Sequence, residues 1–183
     1  GKVTKTTHFQ ALPYSQMPPF MEQLVGQEGM GAKALLFVIL TAARSGEVRG
    51  ATWEEIDLAA RVWTIPAERM KASKAHRVPL SDAAIALLQE MKALAQAAGR
   101  NSGKAYVFPS PNSRDPELGS ALSDMTLTAV LRRLKLEAVP HGFRSTFRDW
   151  CAEQTDYPNE VAEMALAHTV GNKVEAAYRR GDL

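Results

Sequence analysis

The chain has a single cysteine, Cys151, so no internal disulfide can brace it. Beside Trp150 this residue reads as a small core side chain rather than a reactive thiol. Its longest apolar run, ALLFVIL from Ala34 to Leu40, is far too short to span a bilayer. No secretory signal is seen, and the expected location is the cytoplasm, without membrane partners. Histidine is scarce: His8, His76, His141 and His168 lie far apart with no H-x-x-x-H pair. With one cysteine they make no recognisable metal centre, so no metal is expected. The glycine patterns G-x-x-x-x-G-K-S/T and G-x-G-x-x-G are missing, which removes support for nucleotide hydrolysis, and there is no G-x-S-x-G elbow. An excess of one charge is missing too: 22 Lys+Arg stand against 20 Asp+Glu, a net +2.

What is present is the composition of an ordinary folded domain. Hydrophobic residues make up 45% and charged residues 23% of 183 positions, enough for one sizeable core and too apolar for a disordered chain. The charge is unevenly spread. Arg61, Arg69, Lys71, Lys74 and Arg77 fall within 61–80 with only Glu68 against them, while Glu153, Asp156, Glu160 and Glu163 cluster elsewhere. Such a distribution fits a surface presented to a polyanion, and it equally fits ordinary surface patchiness.

The opening segment, residues 1–17, is polar and punctuated by proline, and is expected to be a linker or arm from a preceding DNA-binding region. Residues 18–183 are expected to form one domain whose C-terminal tail is cut short. A helix is predicted from Pro18-Pro19 to Gly26, and GAKALLFVILTAA predicts a buried helix because it is apolar on nearly every side. SGEVRG predicts a short turn capped by Ser45. RVWTI and HRVPL alternate as a hairpin pair joined by ERMKASKA. SDAAIALLQEMKALAQAAG has a serine cap and a closing glycine, Gly99. A short strand is expected at AYVF, then a helix capped by Ser123, one beginning in HGFRSTFRDW, a short one near NEVAEMALA and a last one around KVEAAYRR. The expected fold is mainly α with a small antiparallel sheet, an α+β arrangement.

Within HGFRSTFRDW, Phe143, Phe147 and Trp150 fall at i, i+4 and i+7, the spacing of a core stripe. His141, Arg144 and Arg148 share a different, cationic face. Arg44 ends the buried helix, and Glu47 three residues on can fix its orientation. Taken singly, each signal has a bland alternative. Arg44 and His168 suit helix C-termini, Lys71 and Lys74 suit a solvated turn, and Tyr178 suits core packing.

The order of these segments says more. TAARSGEVRG, RMKASKAHRVPLS, HGFRSTFRDW and LAHTVGNKVEAAYRR, in this sequence, resemble the catalytic domain of the tyrosine recombinases, the phage integrase family. The resemblance runs from about Pro18 to Tyr178 and is nearest to the prophage and genomic-island integrases. It implies the integrase catalytic-domain fold and site-specific recombination, for integration and excision, through a 3′-phosphotyrosine intermediate without metal or other cofactor. It further implies that Arg44 and Arg144 clamp the scissile phosphate, that His168 is a third donor and that His141 is an acid/base. On the same basis Lys71 protonates the leaving 5′-oxygen and Tyr178 is the nucleophile. Lys74, His76 and Arg148 are expected to touch DNA. The spacing from His168 to Tyr178 is one residue longer than the family's usual one, which leaves Tyr178 assigned and the geometry of His168 open. The implied partner is a double-stranded attachment site, bound by a homotetramer of the full-length enzyme. The fragment alone is expected to be a monomer with weak, salt-sensitive DNA affinity. Rival readings are a type IB topoisomerase that relaxes supercoils, a non-catalytic DNA-binding remnant, and a helical scaffold with decorative basic groups.

Overall fold

The computed structural model describes residues 10–168. Its elements in chain order are α1 (Met17–Val25), α2 (Met30–Thr41), α3 (Ser45–Arg49), β1 (Ile56–Asp57), β2 (Val62–Ile65) and β3 (His76–Pro79). There follow α4 (Asp82–Ala97), α5 (Thr126–Arg133), α6 (Gly142–Gln154) and α7 (Asn159–Ala165). The fold is mainly helical with one three-stranded antiparallel sheet in the order β1-β2-β3. Among the described residues no helix is long and apolar enough to cross a membrane.

Helix α2 is the hub, packed against α1, α3, α4 and α5. Ala34, Leu35, Phe37 and Val38 are fully buried, so the helix is apolar nearly all round because neighbours enclose it. Phe37 carries the helical layer onto the sheet: its ring lies 5.3 Å from Trp63 and 5.4 Å from Phe108. At the β2–β3 pair Trp63 sits opposite Val78 and Ile65 opposite His76. Trp63, Ile65 and Val78 are buried, so the two-residue period of a strand turns His76 to the same inner face. That register is how the hairpin reaches the functional site.

Several local expectations need correction. Residues 105–108 form no strand: Tyr106 makes only an isolated bridge to Thr52. The helix expected after Ser123 starts at Thr126 with Met125 at its cap, and Ser123 instead pairs its hydroxyl with that of Thr126 at 2.9 Å. Ser81 caps α4 as read, accepting from the Ala84 N–H at 3.3 Å, and Gly99 has the positive φ of a helix stop. The aromatic stripe of α6 is buried at one end only. Phe143 stacks on Phe20 at 5.4 Å, whereas Trp150 is 43% exposed. Cys151 is buried, as expected of a small core residue, and burial raises its thiol pKa.

The segment ahead of α1 packs onto α6. Leu12 is buried, its carbonyl accepts from the Thr146 hydroxyl at 2.6 Å, and the Gln10 carbonyl accepts from the Val139 N–H at 3.1 Å. Gly142 permits this approach, because a Cβ there would stand 2.2 Å from the Gln10 carbonyl oxygen. The start of α6, which carries the residues discussed next, is thereby held from both sides.

Candidate active site

Arg144 is the centre of the site, and it is only 4% exposed. A buried guanidinium needs acceptors for its five N–H groups. Two of them are main-chain carbonyls: Nη1 donates to Ala42 and Nη2 to Leu166, each at 2.5 Å, while Nε finds no acceptor among the described residues. Ala42 is the C-cap of α2 and Leu166 the C-cap of α7. Both carbonyls therefore stand at the negative ends of helices, where unpaired C=O groups and the macrodipole favour a cation. Of the cationic face expected on α6, Arg144 is thus buried, while His141 and Arg148 stay exposed. Burial pulls the Arg144 pKa down to about 10, the charge of Arg44 adds to that, and Glu47 and Glu163 oppose it.

Arg44 occupies the N-cap of α3, the place expected of Ser45, with extended backbone angles. Glu47 at the third helical position reaches back to accept from the Arg44 N–H at 2.9 Å and from Nη1 at 2.8 Å. One buried carboxylate thus caps the helix and aims the arginine, the pairing the spacing suggested. Arg69, in the turn after β2, fastens this piece to the hairpin. Its guanidinium bonds both oxygens of Glu55, at 2.9 and 3.0 Å, and also donates to the Glu47 carbonyl. Glu55, whose carboxyl pKa is raised by burial, accepts in addition from the Trp63 indole at 2.9 Å.

His168 follows the last turn of α7. Ala167 there is left-handed at φ 52°, its N–H bonds the Met164 carbonyl, and the His168 N–H bonds the Glu163 carbonyl, each at 2.9 Å. This double closure is a Schellman motif built on alanine instead of glycine. It presents the imidazole to Arg144, with Nε2 at 3.2 Å from Nη2. The other ring nitrogen, Nδ1, lies 2.6 Å from Glu163 Oε2, and Glu163 Oε1 lies 2.8 Å from Arg148 Nε. Arg148, expected to face DNA, is thus engaged with α7.

His141 is the N-cap residue of α6 and is exposed. Its pKa is lowered by partial burial and then by Arg144, Arg44 and His168, which puts it in the field of the same cluster. His76 reaches the cluster from the sheet: burial depresses its pKa, Arg144 and Arg44 add to that, and Glu47 and a hydrogen bond with the Ala165 main chain oppose it. His76, expected from the sequence to touch DNA, thus faces the cluster from β3. Lys71 and Lys74 lie in the exposed hairpin connection. Tyr178 lies outside the described residues.

The structure therefore brings Arg44, Arg144, His141, His168 and His76 together from four separate stretches of chain. Two guanidiniums and three imidazoles converge, while the carboxylates of Glu47 and Glu163 stand behind them as orienting groups. Such a cluster suits an anion with several oxygens, and fixed planar donors suit one whose charge grows during reaction. Sequence reasoning missed Glu163, Glu55 and the structural part of Arg69. Glu163 sits five residues before its histidine and pairs with a different helix, so no helical spacing marks it. The Ala42 and Leu166 carbonyls carry no side-chain signal at all.

Comparison with known proteins adds an independent line. The model of the phage integrase family matches residues 12–182. Prophage integrase IntA of Escherichia coli (strain K12) is 36% identical over 91% of this chain and 39% of its own length. The integrase of Enterobacteria phage P4 is 33% identical over 96% of this chain and 42% of its own. The chain thus spans about two fifths of the length of these relatives. Among solved structures, XerH site-specific recombinase bound to a palindromic difH substrate superposes with a TM-score of 0.67 at 16% identity. It covers 98% of this chain and 53% of that one. A lambda integrase(75-356) dimer bound to a COC' core site gives 0.61 at 16%, covering 98% and 63%. At such identities these two speak for the fold alone.

Proposed function

The chain belongs to the phage integrase family, and from that premise we propose that it is the catalytic part of a site-specific DNA recombinase. The observation that carries this reading is the buried Arg144, held by two helix ends beside Arg44 and His168. In the proposed reaction the Tyr178 hydroxyl oxygen bonds to a backbone phosphorus and the bond from phosphorus to the 5′-oxygen breaks. The tyrosine proton passes to His141, the acid/base of the cluster, and the leaving oxygen gains one from Lys71. Rejoining runs the same exchange backwards with a 5′-hydroxyl of another strand, so the phosphoester energy is kept and no nucleotide is consumed.

Each residue type suits its part. Arg44, Arg144 and His168 meet the negative charge that builds on the non-bridging oxygens. A flexible ammonium on an exposed connection can follow the leaving oxygen, which suits Lys71. His141 moves a proton at the edge of the cluster, and a phenol with an ordinary pKa near 10 is easier to ionise among these cations. Residues 18–183 form the catalytic unit on this reading, Lys74 meets DNA beside Lys71, and the substrate is a duplex attachment site in the cytoplasm. A tetramer of the longer protein exchanges strands; the fragment is a monomer.

The test is relaxation of supercoiled plasmid in EDTA at low salt, wild type beside Tyr178→Phe. Metal-free relaxation that vanishes in the variant, with protein covalently attached to nicked plasmid, is the expected result. Equal relaxation by both proteins overturns the assignment of Tyr178. Exchange between two duplexes by the longer protein separates a recombinase from an enzyme that only relaxes supercoils.

A further inference from the structure

His168 is gripped twice by one residue. The Glu163 carbonyl accepts its backbone N–H at 2.9 Å, and the Glu163 carboxylate meets its ring at 2.6 Å. An ionised carboxylate can only accept, so Nδ1 carries the ring proton. Nε2 is then the lone-pair nitrogen, which agrees with an Arg144 Nη2 donor standing 3.2 Å away. The second carboxylate oxygen stands 2.8 Å from Arg148 Nε as an ion pair, and Glu163 is largely buried. The carboxylate thus lies between a charge on α6 and the ring it orients.

We propose that Glu163 is the positioning carboxylate of this site, fixing the tautomer and orientation of His168 so that Nε2 faces the place where the phosphate binds. The proposal rests on the recombinase reading only for what Nε2 meets; the assignment of the ring proton stands on this geometry by itself. It also says what must change when phosphate arrives. Nε2 faces Arg144 as an acceptor here, so donating to a phosphate oxygen requires a second proton on the ring. The imidazolium formed would stand beside Arg144 with Arg44 nearby, and the Glu163 carboxylate is the counter-charge on its far side. The arrangement has the logic of an acid that orients a histidine without taking its proton.

The experiment is long-range proton–nitrogen correlation NMR of protein labelled with nitrogen-15 histidine, the His168 signals being assigned by their loss in His168→Asn. Wild type should show the Nδ1-protonated form and a strongly downfield Nδ1 proton. Glu163→Gln keeps an acceptor and loses the charge, so the proton should remain and move upfield. In Glu163→Ala it should be lost to solvent exchange, with the ring relaxing to mixed tautomers. Arg148→Ala should leave it in place. An unchanged His168 spectrum in Glu163→Ala overturns the proposal.

Plasmid relaxation supplies the second readout. Glu163→Ala should lower the rate at saturating protein by about tenfold to a hundredfold, the scale for partners that orient a functional histidine, with plasmid affinity unchanged. Glu163→Gln, which preserves shape, should lie between and melt like wild type. A Glu163→Ala rate equal to that of wild type also overturns the proposal. If Tyr178→Phe relaxes plasmid as fast as wild type, the recombinase reading fails, and the His168 spectra still decide the role of Glu163.

Discussion

The Arg144 cluster and the hairpin connection at 71–75 are built on opposite plans. Around Arg144 the donors are fixed by groups that cannot move independently: helix-end carbonyls, a Schellman turn and the carboxylates of Glu47 and Glu163. Every residue from Lys71 to Ala75 is exposed, on a connection between two strands that run back to the cluster. A phosphate-holding site needs donors already in place, because reorganising them during reaction costs rate. A proton donor to a departing oxygen needs reach. In the proposed reaction the two regions divide those requirements between them.

The largest effect expected from breaking this contrast comes at Arg144. Arg144→Lys removes the planar fork that serves two carbonyls at once, so the protein should lose about 2–3 kcal/mol of stability from unsatisfied buried acceptors. Plasmid relaxation should fall by about 10²–10³, and denaturant unfolding beside the relaxation assay checks both. Lys71→Ala should separate the two quantities. Relaxation should drop about a hundredfold while the melting temperature stays put, since surface changes are usually within about 0.5 kcal/mol. A Lys71→Ala protein that melts early would mean that the connection is structural after all.

Two smaller effects sharpen the boundary. His76 belongs to the hairpin but faces the cluster, and its pKa is lowered chiefly by burial. Below the ordinary value of 6.5 the unfolded chain takes up a proton that the folded His76 resists. Its contribution to stability is therefore fully present above pH 6.5 and is lost as the pH falls from there toward its lower folded pKa. Melting curves at pH 7.5 and 5.5 should show wild type losing more stability on acidification than His76→Asn. The smallest effect concerns Ala167, left-handed at φ 52°. Ala167→Gly should raise stability by about 0.5–1 kcal/mol, read from the same melting curves.

Much of this was legible because the relevant signals were local. The β2–β3 hairpin, α2 and α4 are written in alternation, apolar density and caps, and Glu47 lies within reach of Arg44 along the chain. The errors arose where tertiary contact decides. A helix stripe of Phe143, Phe147 and Trp150 says that one face is apolar, but not that the neighbours reach only its first turns. The register Ile65 to His76 sets which way His76 points, and that depends on which face of the sheet the helices cover. Arg44 stands at the N-cap in place of Ser45, where Glu47 accepts from its N–H and from its guanidinium, side-chain bonds that the serine's intrinsic preference does not reveal.

The bonds from Arg144 to the carbonyls of Ala42 and Leu166 have a consequence in time as well as in space. The first partner is 102 residues earlier in the chain and the second 22 later, so the clamp is a coincidence detector for folding. During synthesis the N-terminal helices emerge well before α7 does. A chain that has made α2 and α6, but whose residue 166 is still in the ribosome, has not closed the clamp on Arg144. Nor has a misfolded chain in which either helix end is out of place. On the recombinase reading, the grip on a phosphate is thus gained late in assembly.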